Sequence, residues 1–284
     1  MTGGDRPVRI VFTDLDGTLL ELERYDPGPA VPALDRLREA GVPVVFCSSK
    51  TRAEQEELRE RLGVPDPFIV ENGSAVHLPG GGPGEARPTE GGGSGGEAPH
   101  GGDASIQLGI PVAEIRAALH EEARRQRIRC QGYADLSLEE VAEETGLDAE
   151  AARRAATREW SETILRSSVA PDDPRFRRMV TALGERGIRC SPGSRFHTLT
   201  GTGADKGAAV RRLLERYRDE WGAVESIGIG DAANDLPMLA AVDRAYLVQR
   251  PDGSWAPVQV SGLHRLPAPG PEGWRLMAVR EGFA

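Results

Sequence analysis

Asp14-Leu15-Asp16-Gly17-Thr18-Leu19 follows directly on Arg9-Ile10-Val11-Phe12-Thr13, and the reading of these two stretches decides the fold. The second reads as a buried strand, so Asp14 and Asp16 stand at the carboxyl edge of a sheet, where open α/β sheets hold their ligands. Far downstream, Ser226-Ile227-Gly228-Ile229-Gly230 is another apolar strand, and it runs into Asp231-Ala232-Ala233-Asn234-Asp235 ahead of a helix. Four carboxylates therefore leave two strand ends. If the strands are neighbours the acids repel one another, and a hard divalent cation is the natural compensation. Oxygen-only ligands favour Mg2+ over zinc.

The chain carries 33 arginines and only 2 lysines. Both lysines sit in short polar motifs, Ser48-Ser49-Lys50-Thr51 and Asp205-Lys206-Gly207. Against that bias a lysine is retained where a compact, flexible ammonium is needed, which points to a phosphate site.

Outward from these motifs, Ala33 to Ala40 reads as a helix, Pro43 to Cys47 as a strand, Thr51 to Leu62 as a helix opened by a Thr51/Glu54 capping box, and Phe68 to Val70 as a strand. Alternating strands and helices imply a parallel sheet. From Pro79 to Gly102 the sequence is mostly Gly with Pro, Glu and Ser, too poor in apolar surface to offset ordering, and is expected to be a flexible insertion. From Ala104 the order changes. Ser105–Leu108, Ile128–Gln131 and Glu159–Arg166 read as strands, Val112–Arg125 and Pro174–Arg186 as helices, and Ile188–Ser191 with Arg195–Leu199 as a hairpin. Two short acidic helices cover Ser137 to Thr145 and Asp148 to Thr157. Two βαβ-like units then make a small α+β cap, and the first pattern resumes at Asp205. The expected organisation is a Rossmann-like α/β core over 1–78 and 200–284, a Gly-rich insertion over 79–103, and a cap over 104–199, with the active site in the crevice between core and cap.

A length of 284 residues is enough for a well-buried core, and a net charge of −9 opposes broad nucleic-acid binding. Cys47, Cys130 and Cys190 are widely spaced without a ligand pattern, and no apolar run approaches membrane-spanning length. The expectation is a cytoplasmic protein without a membrane or nucleic-acid partner, acting on a small anionic molecule.

The set Asp14-x-Asp16-x-Thr18, Ser48 after an apolar strand, Lys206 opening a helix, and Gly230-Asp231-x-x-Asn234-Asp235 resembles the haloacid dehalogenase superfamily of phosphotransferases. The resemblance implies Asp14 as nucleophile and Asp16 as general acid and base. Ser48 and Lys206 would bind and neutralise the phosphoryl group. Mg2+ would be held by Asp14, the Asp16 carbonyl and Asp231, with Asp235 and Asn234 acting through water.

Five further stretches resemble the mannosyl-3-phosphoglycerate phosphatase family: Ser48 to Glu54, Glu71-Asn72-Gly73-Ser74-Ala75, Arg158-Glu159-Trp160-Ser161-Glu162, Gly193-Ser194-Arg195-Phe196-His197, and Gly270-Pro271-Glu272-Gly273-Trp274. That resemblance implies release of phosphate from mannosyl-3-phosphoglycerate to leave mannosylglycerate, a compatible solute, with the glucosyl ester as the competing substrate. Candidate substrate contacts are then Ser49, Lys50, Glu71, Asn72, Gly73, Arg158, Ser161, Ser194, Arg195, His197 and Asn234. Arg158, Arg195 and Lys50 would meet carboxylate or phosphate, and Glu71, Asn72 and His197 would read sugar hydroxyls. Thr163 stands where the family pattern leads one to expect proline. Other sugar phosphates, a phosphomutase reaction and a catalytically silent binding module are the alternatives.

Overall fold

The computed structural model describes residues 7–81, 104–170, 172–193 and 195–283. Most of the expected Gly-rich insertion and Ser194 lie outside the described residues. The first half follows the expected alternation: β1 (Val8–Thr13), α1 (Val31–Glu39), β2 (Val44–Cys47), α2 (Arg52–Leu62) and β3 (Phe68–Val70). β1, β2 and β3 pair in parallel. The Thr51/Glu54 capping box opens α2 as the sequence predicts.

The chain then turns back through β4 (Ala75–Leu78) and β5 (Ala104–Gln107), both antiparallel to their neighbours. This corrects the reading of Ser105–Leu108 as the first strand of the cap. The strand pairs with β4, Ala75 opposite Gln107, and extends the main sheet.

The cap follows: α3 (Val112–Gln126), α4 (Leu138–Thr145), α5 (Ala149–Ala156), β6 (Ser161–Leu165), α6 (Pro174–Glu185), β7 (Ile188–Pro192) and β8 (Phe196–Gly201). Its three strands form one antiparallel sheet in the order β6-β8-β7, not two βαβ units. Ile128–Gln131 is not a strand. Arg127 turns left-handed at the end of α3, and Gly132 makes only a single bridge to Ile164. Because side chains alternate across a strand, Ile164 and Leu199 face α3 and α6, where they bury with Ile115, Leu119, Met179 and Leu183. Thr163 and Thr198, register partners, face the other way.

α7 (Lys206–Trp221), β9 (Val224–Gly230), α8 (Leu236–Leu239), β10 (Arg244–Gln249), β11 (His264–Pro269) and α9 (Gly270–Arg280) complete the main sheet, in the order β11-β10-β9-β1-β2-β3-β4-β5. α1 and α9 cover one face, with Leu37, Trp274 and Met277 in the core, and α7 and α8 cover the other with Leu213, Tyr217 and Met238. β1 has β2 on one side and β9 on the other, so the strand order reverses there. Crevices at such switch points, beyond the carboxyl ends of the strands, are where α/β sheets bind ligands. No described helix is long and apolar enough to cross a membrane.

Candidate active site

The register Thr13 opposite Ile229 sets the next residues of the two strands side by side. Asp14, Asp231 and Asp235 each offer a carboxylate oxygen within 4.8 Å of the others. Lys206, at the first turn of α7, reaches Asp14 Oδ1 and Asp235 Oδ1, both at 2.5 Å. Two carboxylates that close repel by about 3 kcal/mol at an effective dielectric near 20, and one ammonium does not neutralise three acids. The deficit appears as proton affinity. Burial, then Asp235, raise Asp14 well above the usual carboxylate range against the pull of Lys206, and the same two causes push Asp231 up to about 7. Burial alone would lower the pKa of Lys206, but Asp14 and Asp235 outweigh it and keep the ammonium charged.

The acids are unequal. Asp235 is fully buried, and its Oδ2 accepts the amides of Asp231 and Ala232 at 3.0 Å each. With Oδ1 on Lys206 it has little capacity left for direct metal contact. Asp14 and Asp231 share the Thr18 hydroxyl, at 3.2 and 3.4 Å. Gly17 has φ +82°, and a Cβ there would lie 2.9 Å from Asp231 Oδ2, so the loop fits against the acid only as glycine. An oxygen-only, net negative, partly buried donor set of this kind fits a hard cation such as Mg2+.

Asp16 lies on the cleft side. Burial raises its pKa while Lys50, 3.1 Å away, opposes that rise. Lys50 also lies 3.6 Å from Glu54 and 4.7 Å above the Tyr25 ring. Ser48 is buried, and its hydroxyl accepts the Lys50 amide at 3.3 Å just ahead of α2. Asn72 and Asn234 meet across the site at 3.4 Å.

A cleft of about 200 Å³ separates this group from the cap, lined by Asp16, Tyr25, Ser49, Lys50, Tyr133, Arg158, Thr163, Arg195 and Thr198 among others. A second cleft of about 400 Å³ shares Tyr25, Lys50, Glu54 and Leu147 with it. Lys50 and Arg195 therefore bracket the space. Arg195 also donates to the Glu144 and Thr145 carbonyls at the end of α4.

Two expected sugar readers are elsewhere. Glu71 is fully buried, and its carboxylate accepts from the amides of Glu159 and Trp160 and from the Ser161 hydroxyl, so neither it nor Ser161 is open to a sugar. His197 points from β8 into the helical layer of the cap, its ring 5.1 Å from Phe176, with burial lowering its pKa. Gly73 is a packing position. Its φ is +93°, and a Cβ there would meet the Asp205 carbonyl at 2.1 Å. Conversely Tyr25, Tyr133, Thr163 and Thr198 line the cleft without having been expected there. Tyr25 and Tyr133 lie in short irregular segments that carry no periodic signal. Strand alternation in β6 and β8 puts Thr163 and Thr198 on one face, but not which face meets the core.

A family model for haloacid dehalogenase-like hydrolases matches residues 11–83 and 162–251. A glucosyl-3-phosphoglycerate/mannosyl-3-phosphoglycerate phosphatase of Methanococcoides burtonii is 36% identical over 277 residues, 93% of this chain and 94% of the relative. A mannosyl-3-phosphoglycerate phosphatase of Pyrococcus furiosus is 39% identical over 246 residues, 85% of this chain and 91% of the relative. Among solved structures, a Thermoplasma acidophilum protein superposes with TM-score 0.67 at 17% identity, covering 98% of this chain and 100% of its own. A haloacid dehalogenase-like hydrolase from Bacteroides thetaiotaomicron gives 0.64 at 18%, covering 96% and 99%. The acidic switch-point site, the inserted cap and these sequence matches together make the chain a member of the haloacid dehalogenase-like hydrolase family.

Proposed function

We propose that the chain is a Mg2+-dependent phosphatase that hydrolyses mannosyl-3-phosphoglycerate, and by the same cleft glucosyl-3-phosphoglycerate, to the glycosylglycerate and phosphate. One observation carries this reading: the convergence of Asp231 and Lys206 on Asp14, two residues along the chain from Asp16, which lines a cleft whose walls also present Lys50 and Arg195. A substrate bearing both phosphate and carboxylate needs two separated cation sites, and the names of the relatives fit that demand. The described structure supports taking 109–201 as the cap and the other described residues as core. Unpaired cysteines suit a cytoplasmic setting, where the product would serve as a compatible solute.

In this reading the Asp14 carboxylate attacks phosphorus, and the bond from phosphorus to the glycerate oxygen breaks as Asp16 gives that oxygen its proton. Burial raises the proton affinity of Asp16 against the pull of Lys50, the direction this role needs. Water then attacks the aspartyl phosphate, Asp16 takes the proton back, and Asp14 is freed. Lys206 compensates charge on the nucleophile throughout, while Ser48 and the amides leading into α2 hold phosphoryl oxygens. Mg2+, when bound, would be held by Asp14, the Asp16 carbonyl and Asp231 and would supply neutralisation of phosphoryl charge.

The test is phosphate release from the mannosyl and glucosyl esters with added Mg2+, with simple sugar phosphates as controls. The native chain should turn over both esters, and Asp14→Asn should lose at least about a thousandfold. Equal rates for native and variant would end the enzyme reading. Preference for a simple sugar phosphate would end the substrate reading alone.

A further inference from the structure

The Glu71 carboxylate is fully enclosed yet lies outside the cleft, and the chemistry above makes no use of it. Its backbone is costly as well. Glu71 and Asn72 have φ of 49° and 59°, a left-handed pair that non-glycine residues adopt only where the surroundings enforce it. The enforcement comes from both sides. The Glu71 amide donates to the Lys50 carbonyl at 3.0 Å and the Asn72 amide to the Ser48 carbonyl at 2.9 Å, which stitches this turn to the phosphate loop. On the other side the carboxylate receives the Glu159 amide at 2.8 Å, the Trp160 amide at 3.2 Å and the Ser161 hydroxyl.

Residues 159–161 lead into β6, the strand that carries Thr163 to the cleft. The Glu159 carbonyl in turn accepts the Val112 amide at 2.8 Å, so the outgoing connection to the cap is fastened at the same point. Arg158 closes the circuit. It donates to Ser161 Oγ at 2.8 Å and to the Ser49 carbonyl at 2.9 Å, and it lies 3.6 Å from Glu71. The cap entry and the phosphate loop thus share one buried charged network.

We propose that Glu71, with Arg158 and Ser161, is a positioning latch that couples the seating of the cap to the geometry of the Ser48–Lys50 loop. Contacts made by the distal part of the substrate to the cap are transmitted through the latch to the loop that grips its phosphate. A carboxylate with this set of donors holds them only while segment 158–161 lies against the 71–73 turn, so the network forms as a unit with the cap in place. The inference rests on the phosphatase reading for its kinetic consequence and on geometry alone for its structural one.

Glu71→Gln and the milder Ser161→Ala are compared with the native chain in three measurements. The first is kcat/KM for mannosyl-3-phosphoglycerate against p-nitrophenyl phosphate, which lacks the sugar and carboxylate that would contact the cap. Glu71→Gln should lose about 30-fold on the first, chiefly through KM, and within about threefold on the second, with Ser161→Ala between native and Glu71→Gln. The second is amide hydrogen exchange, which should rise together in 158–161 and in 48–51 while β1, β9 and α3 keep their protection. The third is the melting temperature, as a control on folding. Parallel loss on both substrates with a lowered melting temperature in both variants would make the cluster merely structural, and faster exchange confined to 158–161 would also overturn the coupling. If the native chain hydrolyses only the aryl phosphate, the substrate reading fails, and the latch stands or falls on the exchange result.

Discussion

A buried carboxylate whose neighbours do not offset its desolvation works against the fold, and Asp66 shows the effect away from the site. Its Oδ2 accepts the Val44 amide at 2.9 Å where the loop after α2 meets β2. Burial pushes its carboxyl up to about 6, with the Val44 amide and Arg59 pulling the other way. Between about pH 4 and pH 6 the unfolded carboxyl ionises while the folded one keeps its proton, so stability falls across that window and stays lower above it. Asp66→Asn retains the acceptor and removes the charge. It should stabilise the chain by about 2 kcal/mol at pH 7.5 and much less at pH 4, read from denaturant midpoints at the two pH values. An equal gain at both would mean that the charge is not what Asp66 contributes. The same logic, inverted, explains why the site acids are retained: their mutual repulsion would be unfavourable in an inert protein, and they hold it in a cleft where charge must develop.

At the scale of elements, the sequence was most legible where a periodic pattern ends in a definite signal. β1, α2 with its Thr51 cap, α7 opened by Asp205, and β9 lie where pattern and caps put them. β11 and α9 were not legible. β11 reads His-Arg-Leu-Pro-Ala-Pro, and its two prolines argue against a strand everywhere except a sheet edge, which is where it lies. α9 opens Gly-Pro-Glu-Gly, a composition that argues for a loop, and tertiary packing overrides it. Trp274 supplies that packing. Fully buried, it donates its indole N–H to Thr13 Oγ1 at 3.1 Å, one residue before Asp14. Trp274→Ala should therefore cost about 3 to 5 kcal/mol of unfolding free energy by denaturant titration. A loss below about 1 kcal/mol would show that α9 does not depend on this anchor. Burial of the 71–73 turn was similarly hidden, because Glu-Asn-Gly reads as an exposed turn unless the Gly73 approach to Asp205 and the return of segment 159–161 are both known.

At the scale of the whole molecule, the acidic strand ends belong to the main sheet and the opposing wall of the cleft to the cap, so in the proposed reading phosphoryl chemistry and sugar choice fall to different parts. The acids at the strand ends were readable because two motifs suffice to place them. Cap-face residues were not, because their orientation depends on which face of β6-β8-β7 turns toward the core. Thr163 and Thr198 form a register pair on that face and, with Tyr133, bring three hydroxyl-bearing side chains toward the cleft. Mannose and glucose differ in the orientation of one hydroxyl, so a site that hydrogen-bonds that group can separate them far better than an apolar pocket can. Thr163 occupies a position where proline would offer neither a side-chain donor nor an amide. Thr163→Val keeps the shape of the strand and removes only the hydroxyl. It should shift the mannosyl-to-glucosyl ratio of kcat/KM by about tenfold, with the larger change in KM, while the melting temperature moves little. A uniform fall for both esters would assign the cap face to general substrate seating and leave sugar choice to the second cleft, around Arg61 and Arg154.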